Sequence, residues 1–160
     1  MTKRITQQLT YDAPLADVAA MLREETFRDA VCARQRVLNH TVTVHADGDA
    51  ADVQITREQK VEGIPSFATK FVGESITITT RENWADLTTG TYDVGIPDKP
   101  GHISGAVSLT EVDGKTVETV DLKIQVSVPL VGGKLEAIVA DLLEAALRTE
   151  HEVGVKHLAR

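Results

Sequence analysis

Arg57 and Gln59 are the polar residues of this chain whose placement most invites a chemical role. They fall in a segment, residues 51–62, in which Val53, Ile55 and Val61 share one parity, and Arg57 and Gln59 share it too. Alternation in a strand sends residues of one parity to one face, so both are directed at the dry side of the sheet. A buried arginine needs a partner. In one reading a bulge or the strand end returns Arg57 to solvent and a surface carboxylate. In the other, Arg57 anchors a ligand carboxylate, phosphate or carbonyl inside an otherwise apolar pocket. Gln7 and Tyr92 can add polar tips to the same space.

The remaining reactive residue types carry less. The histidines are His40, His45, His102, His151 and His157, and they form neither an HxH pair nor the HExxH pattern. His40 alone lies on an apolar strand face, in phase with Leu38, Val42 and Val44, as a core or cavity-wall histidine. Metal ligation needs further ligands nearby, and the spacing supplies none, so no metal and no cofactor are expected. Glu150-His151-Glu152 is expected on the exposed end of a helix. Cys32 is the only cysteine, which excludes an internal disulfide and a cysteine zinc cluster; it reads as a packed helix residue. Gly132-Gly133-Lys134 opens a helix whose amides could bind an anion, but lacks the Ser or Thr that completes a phosphate loop. Its alternative is a tight strand-to-helix corner where a side chain would clash. No nucleophile elbow, triad spacing, deaminase signature or dinucleotide fingerprint is present, so no catalytic residue is assigned by motif.

These residues need a scaffold, and hydrophobic periodicity outlines it. Residues 3–11 alternate as a strand with Ile5, Leu9 and Tyr11 on one face. Asp12 and Pro14 then open a short helix carrying Leu15, Val18, Ala19 and Leu22, and residues 24–33 form a second. Strands are expected at 37–45 and 51–62, joined by the Asp47-Gly48 turn. Residues 63–73 break the pattern: Ser66 caps a helical turn or two, and Phe67 and Phe71 are spaced i, i+4. This segment is either a loop stapled to the core or a hydrophobic flap over a pocket mouth. Strands follow at 74–81 and 83–94, with Trp84 near the start of the second, and at 102–112 and 115–128. In the last, Val120, Leu122, Ile124, Val126 and Val128 face in, which implies an antiparallel sheet with one wet and one dry face.

Residues 130–158 end the pattern as a helix roughly 43 Å long. Leu135, Ile138, Val139, Leu142, Leu143, Ala146 and Leu147 make its apolar stripe. Beyond Arg148 the stripe thins, so that end is expected to be solvated and to bend at Gly154. The fold class is therefore α+β: a curved antiparallel sheet around a long C-terminal helix, with two short helices after the first strand. Such an arrangement can leave a cavity between helix and sheet.

A chain of 160 residues suits one domain, 1–160. At 42% hydrophobic and 26% charged it is of the globular, water-soluble class. A net charge of −7 argues against nucleic acid or an anionic membrane as main partner. No segment approaches about 18 consecutive apolar residues, so no integral membrane association is expected. The N-terminus lacks the apolar run of a secretory signal, and with the single thiol a cytoplasmic location is expected. Aromatics are only 4%, so pocket walls must be aliphatic. Nothing in the sequence sets an oligomeric state.

The order of elements resembles the helix-grip fold of the START-like (SRPBCC) superfamily, which includes lipid-transfer START domains, birch-pollen allergen proteins and polyketide cyclases. Gly63-Ile64-Pro65-Ser66-Phe67 with Lys70-Phe71, Glu82-Asn83-Trp84, His102-Ile103-Ser104-Gly105 and Pro129-Leu130-Val131-Gly132-Gly133-Lys134-Leu135-Glu136 make the chain similar to an uncharacterised bacterial branch of that superfamily. The resemblance and the apolar phasing imply a hydrophobic small-molecule or lipid binder. Its sheet wall would be Leu9, Val42, Ile55, Trp84, Val107, Leu109, Ile124 and Val126. Leu135, Ile138 and Leu142 would form the helix side, Phe67 and Phe71 the gate, and Arg57, Gln59 and Tyr92 the polar contacts. The alternatives are a cyclase- or dehydratase-type enzyme acting on a polyketide-like substrate through Arg57, His40 or Tyr92, and a protein-interaction module without a ligand.

Overall fold

Alternating segments separated by Asp-Gly turns become one sheet. The computed structural model describes residues 2–159; Met1 and Arg160, the two ends of the 1–160 span, lie outside the described residues. The order is β1 (Thr2–Tyr11), α1 (Leu15–Leu22), α2 (Glu25–Arg34), β2 (Asn39–Asp47), β3 (Ala50–Lys60), α3 (Ser66–Val72), β4 (Ser75–Trp84), β5 (Thr89–Gly95), β6 (His102–Val112), β7 (Lys115–Gln125) and α4 (Gly132–Leu158). The strands form a seven-stranded sheet in the order β1-β7-β6-β5-β4-β3-β2. Every neighbouring pair is antiparallel. The run from β2 to β7 is a meander, and β1 joins its far edge with Ile5 opposite Leu122. This is the helix-grip architecture: a curved, open sheet with α4 along its inner face. Alternation fills the core, since Ile5, Leu9, Tyr11, Val107, Leu109 and Leu122 are buried while the residues between them are more exposed.

Element ends moved for local reasons. Trp84 ends β4 rather than opening the next strand. The Asp86 carboxylate accepts the backbone N–H groups of Thr88 and Thr89, both at 2.8 Å, which closes a turn immediately after it. β7 stops at Gln125, short of Val128, because the Val126 N–H donates instead to Glu136 Oε2 of α4, at 2.9 Å. At the corner between them, a Cβ on Gly132 would lie 2.7 Å from the Val126 carbonyl oxygen. Gly132 is thus required by a close approach of backbones, without any need for an anion.

The 27 residues of α4 span about 40 Å. Its buried stripe runs through Leu135, Glu136, Ala140, Leu147, Glu150 and Gly154. Two expectations are corrected here. Leu142 is 52% exposed: it lies about 100° round the helix from Leu143 and outside the stripe that faces the sheet. The end beyond Arg148 is not simply solvated, and the helix runs on through Gly154 to Leu158. Glu150 and Gly154 are buried, and His151 Nε2 lies 2.8 Å from the Thr10 carbonyl. A Cβ on Gly154 would fall 2.7 Å from the Tyr11 ring and 3.1 Å from the Met21 methyl, both fully buried. Gly154→Leu is therefore expected to lose about 3 kcal/mol by overpacking, while Gly154→Ala loses less because alanine recovers about 1 kcal/mol of helix propensity. Chemical denaturation of the two variants checks the order; equal stability of the leucine variant and wild type would refute the close packing.

Candidate functional site

The inner face of the sheet is not uniformly apolar. Parity puts Glu82 of β4 in phase with Ile78 and Trp84, and Glu118 of β7 in phase with Val120 and Leu122, so the alternation that buries the apolar residues buries both carboxylates as well. From α2, Arg28 reaches between them, 2% exposed. Its Nη1 and Nη2 form a fork on the two Glu82 oxygens, each contact 3.0 Å. Nη1 also donates to Glu150 Oε1 of α4 at 3.0 Å, and Nε donates to the Leu22 carbonyl at 2.9 Å. The Trp84 indole N–H donates to Glu82 Oε1 at 3.2 Å. One guanidinium thus ties α2, β4 and α4 together.

Three buried carboxyls around one arginine cannot all ionise cheaply. Burial, then the neighbouring Glu150 and Glu82, pushes the Glu118 carboxyl well above the usual range, and its Oε1 has no hydrogen-bond partner. Burial pushes Glu150 up to about 7, with Arg28 pulling the other way. Burial alone would lower the pKa of Arg28, but Glu82 and Glu150 outweigh it and hold the group above the usual arginine range. Burial also raises the Tyr11 and Tyr92 hydroxyls and the Cys32 thiol, so all three stay protonated.

Beside this cluster lies a polar cavity of about 30 Å³ between sheet and α4. Arg28, Arg57, Glu82, Tyr92 and Glu150 line it, together with Cys32, Gln35 and aliphatic side chains of β3, β5 and α4. Arg57 Nη1 donates to Gln35 Oε1 at 3.1 Å, and Arg57 Nε is buried without a partner. On the other side of Val94, which lines both spaces, is an apolar cavity of about 80 Å³. Its walls are Ile103, Ile124 and Val126 from the sheet side and Leu135 and Val139 from α4. Phe71 and Val72 of α3 and Ile96, Lys99, Pro100 and Gly101 of the loop after β5 also line it. The ammonium of Lys134 lies 5.9 Å from the Phe67 ring, which tethers α3 to the start of α4.

The residues singled out from sequence separate into groups. Ile55, Arg57 and Tyr92 line the polar cavity; Phe71, Ile124, Val126 and Leu135 line the apolar one. Leu9, Trp84, Val107 and Leu109 are packed into filled core and line neither. Val42 packs on a smaller cluster of Cys32, Val53 and Ile55 under α2. Phe67, Gln59 and Ile138 are partly buried outside both cavities, and Leu142 faces away. His40 is not a cavity residue: its Nε2 lies 3.0 Å from Asp29 Oδ1. Arg28, Glu82, Glu118 and Glu150 were not singled out. Their signal was present, since each charge falls on an apolar stripe or parity, but a carboxylate in such a place is easily read as a surface break.

Among the described residues, no helix is long and apolar enough to cross a membrane. The fold is shared with solved structures of low sequence identity. These include TTHA0849 from Thermus thermophilus (14% identity, TM-score 0.64, covering 97% of this chain and 99% of that one). The aromatase/cyclase Zhui from a Streptomyces species matches at 15% identity and TM-score 0.63 over 100% and 95% of the two chains. A START superfamily protein from Mycobacterium smegmatis matches at 13% identity and TM-score 0.61 over 97% and 98%. At such identities the likeness shows the START-like helix-grip fold alone. No curated protein matches the chain. A family model does, over residues 6–158, and the chain belongs to that family, described as "Protein of unknown function (DUF2505)".

Proposed function

We propose that this protein binds a hydrophobic small molecule in the apolar cavity between the sheet and the N-terminal half of α4. The observation that carries the reading is the cavity itself: aliphatic walls on three strands and a helix, with the short α3 and a loop completing its lining. It has room for about six water-sized groups. A longer ligand therefore needs α3 and the 96–101 loop to move outward, in keeping with a flap. Burial of apolar surface at about 25 cal/mol per Å² drives such binding before association costs are subtracted. The test is a fluorescence titration with Nile red, displaced by 1-decanol. Wild type is expected to show saturable, displaceable binding, and Val139→Trp, which fills the cavity, to bind at least about tenfold more weakly while still melting cooperatively. No saturable signal with wild type, and no decanol adduct in native mass spectrometry, would sink the reading.

A second reading, a cyclase- or dehydratase-type enzyme, is favoured by one observation: Arg57 and Tyr92 line the same cavity as Glu150, whose carboxyl lies near 7. A group poised near neutrality and a protonated phenol suit proton transfer to a carbonyl substrate. Loss of turnover of a polyketide-like substrate in Tyr92→Phe and Glu150→Gln would support it; turnover unchanged in both would remove it. Nothing comparable favours a protein-interaction module. The large exposed apolar residues Leu38, Val112, Leu130, Leu142 and Val155 are spread over four separate segments.

A further inference from the structure

The apolar cavity does not account for the polar one behind it, where the groups are unequally satisfied. Arg28 is saturated by Glu82, Glu150 and the Leu22 carbonyl. Arg57 is not: its Nη1 meets only the neutral Gln35 side chain, and its Nε is buried with no acceptor. Tyr92 lines the same cavity as Arg57. A buried donor without an acceptor is costly unless something fills the place. Arg28 and Arg57 both line this cavity, while burial holds the Glu118 and Glu150 carboxyls toward their protonated forms. The space of about 30 Å³ fits roughly two water-sized atoms, the size of the two oxygens of a carboxylate.

We propose that the ligand is an amphipathic monocarboxylate, its apolar body in the outer cavity and its carboxylate past Val94, accepting hydrogen bonds from Arg57 Nε and the Tyr92 hydroxyl. This rests on the outer cavity being a ligand site. A proton linkage follows. The charged and titratable groups around Glu150 are Arg28 from α2, Arg57 from β3, Glu82 from β4, Tyr92 from β5, Glu118 from β7 and Tyr11 from β1. An anion placed among them favours the protonated form of Glu150, so the carboxylate is taken up with a proton and binds more weakly as pH rises through neutrality.

The experiment is calorimetric titration of decanoate and 1-decanol into wild type, Arg57→Gln and Tyr92→Phe, at about pH 6 and about pH 8.5, in two buffers of different ionisation enthalpy. The expected result is that decanoate binds at least about tenfold more tightly than decanol near pH 6, and that its binding near pH 8.5, where Glu150 is ionised in the free protein, takes up a proton. This preference shrinks at high pH and in both variants, whereas decanol binding is unchanged. Tyr92→Phe removes a single oxygen and keeps the test valid if Arg57→Gln folds poorly. Equal binding of the two probes, insensitive to pH and to both substitutions, overturns the carboxylate site and leaves the apolar one standing. Failure of both probes to bind overturns both.

Discussion

Replacing Arg28 by methionine is expected to lower stability by about 3–5 kcal/mol. For a chain of this length that is a fall in melting temperature of about 6–20 °C. The size comes from what is left behind rather than from what is removed. Arg28 is the shared partner of Glu82 and Glu150, and all three lie at or near full burial. Without the guanidinium, the Glu82 and Glu150 side chains lose their shared cation in low dielectric, and Glu118 lies close enough to feel them. The methionine fills most of the volume, so a cavity is not the cause. Arg34→Met is the control: Arg34 pairs with Glu152 at 3.5 Å with both side chains more than half exposed, and it is expected to change stability by less than about 1 kcal/mol. Thermal melts of the two variants decide the matter. If Arg28→Met melts with wild type, the buried triad is not what holds α2 and α4 to the sheet.

Stability is also expected to fall by roughly 3 kcal/mol as pH rises from about 4.5 to about 7. The sign follows from Glu150. Its carboxyl titrates near its ordinary value in the unfolded chain and at about 7 in the folded one. Between those values the folded state keeps a proton that the unfolded state has lost, so each step up in pH favours unfolding. Below the window both states are protonated; above it both are ionised, and the loss is complete. Glu118, raised in the same sense, extends the decline upward. Asp52 and Asp86, lowered by hydrogen bonds from Arg81 and from Thr88 respectively, act oppositely in acid, but both lie at the surface and contribute little. Urea denaturation across pH measures the slope. Glu150→Gln retains an acceptor for Arg28 and removes the titration, so its profile is expected to be flatter by about one proton's worth. A wild-type profile that rises between pH 5 and 7 would contradict the burial of Glu150.

Strand parity carried most of the fold. Ile5, Leu9, Val120, Leu122 and Ile124 take the face that their alternation assigns. It also placed Arg57 and Tyr92 on the inner side of the sheet, where they share one cavity. It failed at positions whose neighbours come from distant segments. Glu82 and Glu118 share the buried parity as clearly as Arg57 does, but a carboxylate there makes sense only with a cation opposite, and that cation is supplied by α2, 54 residues away from Glu82 in the chain. Glu150 was assigned to solvent for the same reason: helical spacing extends the stripe through Leu147 to Glu150 and Gly154, but its partners Arg28 and Tyr11 lie on other elements.

The sequence by itself determined the element types and which face of each strand is dry, because period and turn chemistry are local properties that every residue carries. Only the tertiary structure decided where the inner face stays empty and where it stays charged. Leu9, Trp84, Val107 and Leu109 obey the same alternation as Ile103 and Ile124, yet the first four close into core and the last two border a cavity. That difference depends on how far α4 and α3 stand from each strand. The protonation of Glu118 and Glu150 depends likewise on charges brought together from α2, β3, β4 and α4. Space and local dielectric are properties of the packed assembly, which no single segment encodes.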